Sequence, residues 1–192
     1  MGPPRDQAWQ EAAVIGLGAN LADPLGMMRE ALLCLSRVEG LTPLAVSPVY
    51  LTEPQGGPQD QNWYHNAVAL FDCRLDPAEL LTILLNVEKE LGRQRLVYCG
   101  PRVIDLDFLA QGDLVVDRPP ELIVPHPRMH LRRFVMAPLA DLAPDWRHPL
   151  IGRTAAELLA KIPSEGQGFL RLDQPLIPDG GLGFSATSGE PE

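Results

Sequence analysis

Apolar and polar positions along the chain follow two periods. AAVIGLG (Ala12 to Gly18) is a continuous apolar run and reads as a buried strand. From Pro24 to Val38 the spacing changes: Met28, Leu32 and Leu35 recur as one helical stripe. LAVSPVYLT (Leu44 to Thr52) predicts a second strand in which Pro48 marks an edge or a bulge. EPQGGPQDQN is a polar loop too long for a tight hairpin, and YHNAVALF (Tyr64 to Phe71) predicts the third strand. The next helix carries its own punctuation. Asp76 is a natural N-cap, Pro77 suits the first helical position, Glu79 completes a capping box and Gly92 ends it, with Leu80, Leu81, Leu84, Val87 and Leu91 as the apolar stripe. GPRVIDLDFLAQG (Gly100 to Gly112) predicts the fourth strand, with Ile104, Leu106, Phe108 and Ala110 on a core face.

The order β-α-β-β-α-β predicts an α+β, ferredoxin-like core. A strand pair near Leu114–Val116 and Leu122–Val124, a helical piece over Leu131–Ala140 and a last helix capped by Thr154 with Glu157 extend it. One domain over residues 1–163 is expected, its core about 12–144, followed by a Gly- and Pro-containing C-terminal tail over 164–192 that is loosely attached and carries no chemistry.

The other face of the fourth strand raises a chemical question. Asp105 and Asp107 point the same way, roughly 7 Å apart, in an otherwise apolar run. Like charges so placed need an arginine or a cation to offset their repulsion. Structural ion pairing, acid/base work and hard-cation ligation all remain open at this point. Magnesium is usually held by one or two carboxylates plus substrate phosphates. Arg93, Arg95 and Arg102 lie within ten residues of one another, and Arg128, Arg132 and Arg133 form a second group. Such arginines suit phosphate oxygens through paired hydrogen bonds.

Composition narrows the classes. The net charge of −9 and an aromatic content of 6% speak against a nucleic-acid binder. No apolar run approaches the roughly 20 residues of a membrane span, and the first residues carry no apolar signal core. Cys34, Cys73 and Cys99 are odd in number and widely spaced, as reduced thiols of a cytoplasmic protein would be. GLGANL near the start imitates a dinucleotide fingerprint, but Leu21 stands where its third glycine belongs. His126 and His130 have zinc-pair spacing, but Pro127 opposes a helix through both.

GPRVIDLDFL closely resembles the signature of the 6-hydroxymethyl-7,8-dihydropterin pyrophosphokinases of folate biosynthesis. GLGANL, SPVYLTEP, Tyr64-His65-Asn66, ELGRQR and VPHPRMHLRRF extend the resemblance over roughly Val14 to Pro144. It implies an ATP-dependent transfer of the β,γ-diphosphate to the pterin hydroxymethyl group, releasing AMP. It further implies two magnesium ions on Asp105 and Asp107, with Arg93 and Arg102 as catalytic arginines. Glu88, Arg93, Arg95, Arg102, Phe108, His126 and Arg132 match nucleotide-site positions. Thr52, Glu53, Gln55, Tyr64, Asn66 and Phe134 match the pterin site, Tyr64 and Phe134 as aromatic walls and Asn66 as reader of the ring edge. The GGPQDQN loop is expected to close over the substrates, and the family expectation is a monomer.

The match departs at Tyr98 and Cys99, where family members commonly carry arginine and tryptophan, and at Pro127, where an aromatic is frequent. A catalytically weakened ATP-binding member and a non-catalytic ferredoxin-like ligand-binding module are therefore the competing readings.

Overall fold

The computed structural model describes residues 5–56, 60–93, 100–177 and 181–183. At its centre β1 (Ala13–Ala19) lies between β4 (Tyr64–Cys73) and β5 (Asp105–Gln111), antiparallel to both. β2 (Leu41–Val46) and β3 (Tyr50–Thr52) pair with β4, and β8 (Phe169–Arg171) pairs with β3. With α2 (Pro24–Ser36) and α3 (Pro77–Glu90) as crossovers, this is the ferredoxin-like α+β order. The helix ends form as local chemistry dictates. Asp76 accepts a hydrogen bond from the Ala78 amide at 2.9 Å while Glu79 accepts one from the Asp76 amide at 3.0 Å, and Gly92 turns the chain with φ +87°.

Strand alternation divides the apolar residues between two cores. Ile15, Leu17, Ala67, Ala69 and Phe71 face α2 and α3, where Leu32, Leu35, Leu80 and Leu84 are fully buried. Each such leucine contributes about 1.5–3 kcal/mol through burial. Val14, Val68 and Leu70 face α4 (Arg133–Leu142) and α5 (Ala155–Leu159) on the opposite side. Among the described residues, no helix is long and apolar enough to cross a membrane.

Three expectations need correction. The strand expected over Leu44–Thr52 is two strands, because Pro48 has no N–H to give the ladder; the Ser47 hydroxyl instead accepts from the Val68 amide at 3.0 Å. Ala110 packs with Leu109 in the α4 core and not with Leu106 and Phe108, because the pairing with β1 slips between Val14 and Ile15 and leaves Leu109 as a bulge. The tail is not loosely attached over its first half. β8 joins the sheet edge, Leu176 and Ile177 are buried, and Arg29 Nε donates to the Leu176 carbonyl at 2.8 Å. The sequence pattern also gave no sign of α1 (Arg5–Glu11). The smaller strand pair is β6 (Val116–Arg118) with β7 (Leu122–Val124).

Candidate active site

Residues directly opposed in an antiparallel sheet share a face. Asp105, Gly18, Asn66 and Tyr50 therefore form one row across four strands, with Asp107, Gly16 and Val68 in the next. The glycines keep this floor low. A Cβ at Gly18 would stand 2.9 Å from Asn66 Oδ1, and one at Gly16 3.2 Å from Leu109 Cδ1. Beside this floor lies a cleft of about 280 Å³.

One end of the cleft is ionic. Asp105 is held on both sides: its Oδ1 lies 2.6 Å from Arg93 Nη1, and its Oδ2 pairs with Arg102 Nη1. Behind Arg93, Glu88 is buried, pairs with the same guanidinium and accepts the Leu106 amide at 2.7 Å. Since Leu106 lies between the two aspartates, Glu88 fixes the strand that presents them. Burial pushes the Glu88 pKa up to about 7, assisted by Asp105 and opposed by the Leu106 amide and Arg93. Asp107 is less constrained, with Arg132 Nη1 at 3.7 Å. Burial first, and then Asp105, raise its pKa to about 6. His126 and Arg128 complete the basic wall. Burial, with Arg132 and Arg128 adding to it, lowers His126 to about 4, so it is a neutral ring at pH 7 and an acceptor for the Arg128 amide at 3.1 Å.

The other end is polar and aromatic, lined by Thr52, Glu53, Gln55, Tyr64, Asn66 and Phe134. Asn66 Nδ2 donates to Thr52 Oγ1 at 2.7 Å, which fixes the amide and leaves its Oδ1 over Gly18. The Tyr64 hydroxyl is positioned by the Gly100 carbonyl at 3.0 Å and Gln61 Oε1 at 3.1 Å.

A residue absent from the sequence-derived site joins these ends. Asn20, only 3% exposed at the exit of β1, accepts the Arg102 amide at 2.8 Å, donates its own amide to the Arg102 carbonyl at 3.0 Å, and donates Nδ2 to the Asn62 carbonyl at 3.0 Å. It clamps the approaches to β4 and β5 at once. The signal was a lone asparagine closing the first strand in GLGANL, read there only as part of a motif. Asn20→Ala strands a buried donor and acceptor. The expected loss is about 2–4 kcal/mol, or on the order of 4–16 °C in Tm for a chain this size, read by calorimetry. A shift below about 2 °C would show that water replaces the clamp.

The chain matches the family described as 7,8-dihydro-6-hydroxymethylpterin-pyrophosphokinase over residues 14–144. The chain belongs to this family. A 2-amino-4-hydroxy-6-hydroxymethyldihydropteridine pyrophosphokinase of Pseudomonas aeruginosa is 46% identical over 152 residues, covering 79% of this chain and 92% of that protein. One from Methylorubrum extorquens is 41% identical, covering 80% and 95%. Among solved structures, Plasmodium falciparum HPPK-DHPS aligns with TM-score 0.61 at 14% identity, over 78% of this chain and 44% of that longer one, a likeness of fold.

Within this pyrophosphokinase fold, the structure brings Arg102, Asp105, Asp107, His126, Arg132 and the six pterin-side residues to one cleft, with Arg93 against Asp105. Two placements differ from the nucleotide contacts expected. Phe108, 5% exposed, alternates away from the aspartates into the α2–α3 core. Glu88 is buried behind Arg93 and pairs with its guanidinium. Arg128 lines the cleft without having been singled out as a site residue. Arg95, Tyr98, Cys99 and residues 57–59 of the GGPQDQN loop lie outside the described residues.

Proposed function

We propose that this cleft carries out the pyrophosphoryl transfer of its family, onto 7,8-dihydro-6-hydroxymethylpterin in folate biosynthesis, with ATP as the donor. The observation that carries the reading is the juxtaposition of paired aspartates, three arginines and an aromatic, amide-bearing slot in one cleft, with a fourth arginine, Arg93, against Asp105. Among the described residues no group of three or more His, Cys, Asp or Glu side chains is arranged to hold a metal ion by itself. The donor set nevertheless fits magnesium, which takes one or two carboxylates and completes its shell with water and phosphate oxygens. Burial, and then the neighbouring Asp105 carboxylate, raise Asp107's pKa, an electrostatic setting that a bound cation would relieve. Asp105 and Asp107 would hold the metal, which supplies charge neutralisation as the phosphorus–oxygen bonds change.

The chain's own groups do the rest. Arg93, Arg102, Arg128 and Arg132 bind the polyphosphate and stabilise its developing charge. Asn66 reads the pterin edge and Tyr64 and Phe134 bound its rings, bringing the hydroxymethyl oxygen to the β-phosphorus. That oxygen gives up its proton to solvent and forms the new bond as the bond from the β-phosphorus to the AMP oxygen breaks, the electron pair leaving with AMP. Cys34 and Cys73, both unpaired, suit a reducing cytoplasm.

AMP release from ATP by the purified chain, with and without the pterin, in magnesium and then in EDTA, tests this. AMP formation that requires both is the expected result. ATP binding without AMP would establish a weakened family member instead.

A further inference from the structure

Three consecutive residues just before β8, beyond the family match, each reach a different part of the cleft wall. The Gly166 carbonyl accepts from Gln55 Nε2 at 2.9 Å. Gln167 Oε1 accepts from the Arg133 amide at 2.9 Å. Gly168 and Glu53 exchange two bonds: the Glu53 amide donates to the Gly168 carbonyl at 3.1 Å, and the Gly168 amide donates to the Glu53 carboxylate at 3.1 Å. Glu53 and Gln55 belong to one wall of the pterin end. Arg133 opens α4 between Arg132, which reaches Asp107, and Phe134, which also lines the cleft.

The start of α4 lacks what helix starts normally have. Its N-cap residue, Arg132, makes no side-chain cap, so the Arg133 amide relies on Gln167 for an acceptor. The strand that follows is fastened on both sides. The Arg133 guanidinium lies over the Phe169 ring at 4.5 Å, and Arg171 Nε lies 3.1 Å from Asp141, which also accepts the Tyr50 hydroxyl at 2.6 Å.

We infer that residues 166–168 are a brace that sets the separation of the two pterin-side walls, Gln167 positioning Phe134 through the start of α4 and Gly168 positioning the Thr52–Gly56 loop through Glu53. The inference rests on the pterin reading of the cleft. Glu53, expected among the pterin contacts, thereby turns its carboxylate to the brace. Gly168 lets the carboxylate come close: a Cβ there would stand 2.9 Å from the Glu53 carboxyl carbon, so that side chain would have to swing away from the brace. A loop held before substrate arrives need not be ordered by it, so losing the brace weakens pterin more than ATP.

The test uses the full chain and calorimetric binding of 6-hydroxymethyl-7,8-dihydropterin in the presence of a non-hydrolysable ATP analogue and magnesium. Gln167→Ala and Gly168→Ala are expected to weaken pterin roughly tenfold, with analogue affinity within about twofold of the parent. Gln167→Glu keeps the acceptor and is expected to restore pterin binding. Unchanged pterin affinity in both alanine variants, equal losses for pterin and analogue, or a Gln167→Glu chain as weak as Gln167→Ala would each overturn the brace. Turnover of the parent is read in parallel. A chain that binds pterin without releasing AMP would overturn the reaction and leave the brace judged by its own affinities.

Discussion

Asp107→Asn is expected to lower pterin-dependent AMP release about 1,000-fold while the ligand-free chain stays as stable or becomes more stable. The rate term follows from charge. A metal-bearing carboxylate offsets several kcal/mol of transition-state charge, and about 4 kcal/mol corresponds to a factor of roughly 10³. The stability term follows from Asp107's surroundings. Its pKa is raised from 3.8 to about 6, by burial and then by Asp105. A group raised in this way contributes stability that is complete below its unfolded pKa and is lost as pH rises through the folded one. Ionised Asp107 is therefore a net cost at pH 7, on the order of 1–2 kcal/mol once screening of a side chain 36% exposed is allowed for. Asparagine removes that cost and keeps the shape. The parent's Tm, followed by calorimetry from pH 4 to 7, is expected to show a loss that the variant lacks. Retention of more than a tenth of the parental rate would sink the assignment of Asp107 to the metal.

The contrast between rate and stability reflects what was legible in the sequence. Features decided by neighbours a few residues away could be read directly: the Asp76–Glu79 box, the Thr154–Glu157 box, and the shared face of Asp105 and Asp107. Features decided across the sheet could not. Whether Ala110 faces the first or second core depends on a bulge at Leu109 where β5 pairs with β1, and the strand break at Pro48 is accompanied by the Ser47 hydroxyl meeting the Val68 amide. The site follows the same rule. The aspartates, Arg102, Asn66 and Phe134 were named because their types and order match a family, and the structure brings them to one cleft. Glu88 and Glu53 were placed in the site, but their partners are a guanidinium five residues on and an amide 115 residues away. A carboxylate in the sequence announces a charge. It does not announce whether the charge meets substrate or protein.

That ambiguity is sharpest at Arg93, where one side chain serves fold and chemistry together. Arg93→Ala is expected to destabilise the chain by about 3 kcal/mol, on the order of 6–12 °C in Tm, and to slow AMP release at least ~100-fold. The first effect arises because Glu88, 2% exposed, keeps the Leu106 amide but loses its cation. Its pKa, already about 7, rises further, so the variant's deficit is expected to shrink as pH falls through 7 and the carboxyl takes a proton. The second effect arises because Asp105 and the substrate phosphates lose the same guanidinium. The double variant Arg93→Ala/Glu88→Gln separates the two. The introduced glutamine retains an oxygen for the Leu106 amide and carries no charge to strand, so Tm is expected to return to within a few degrees of the parent while the rate stays low. Recovery of both would make Arg93 a structural counter-ion alone. Recovery of neither would show that the pair holds β5 by geometry, with the burial of charge a minor part.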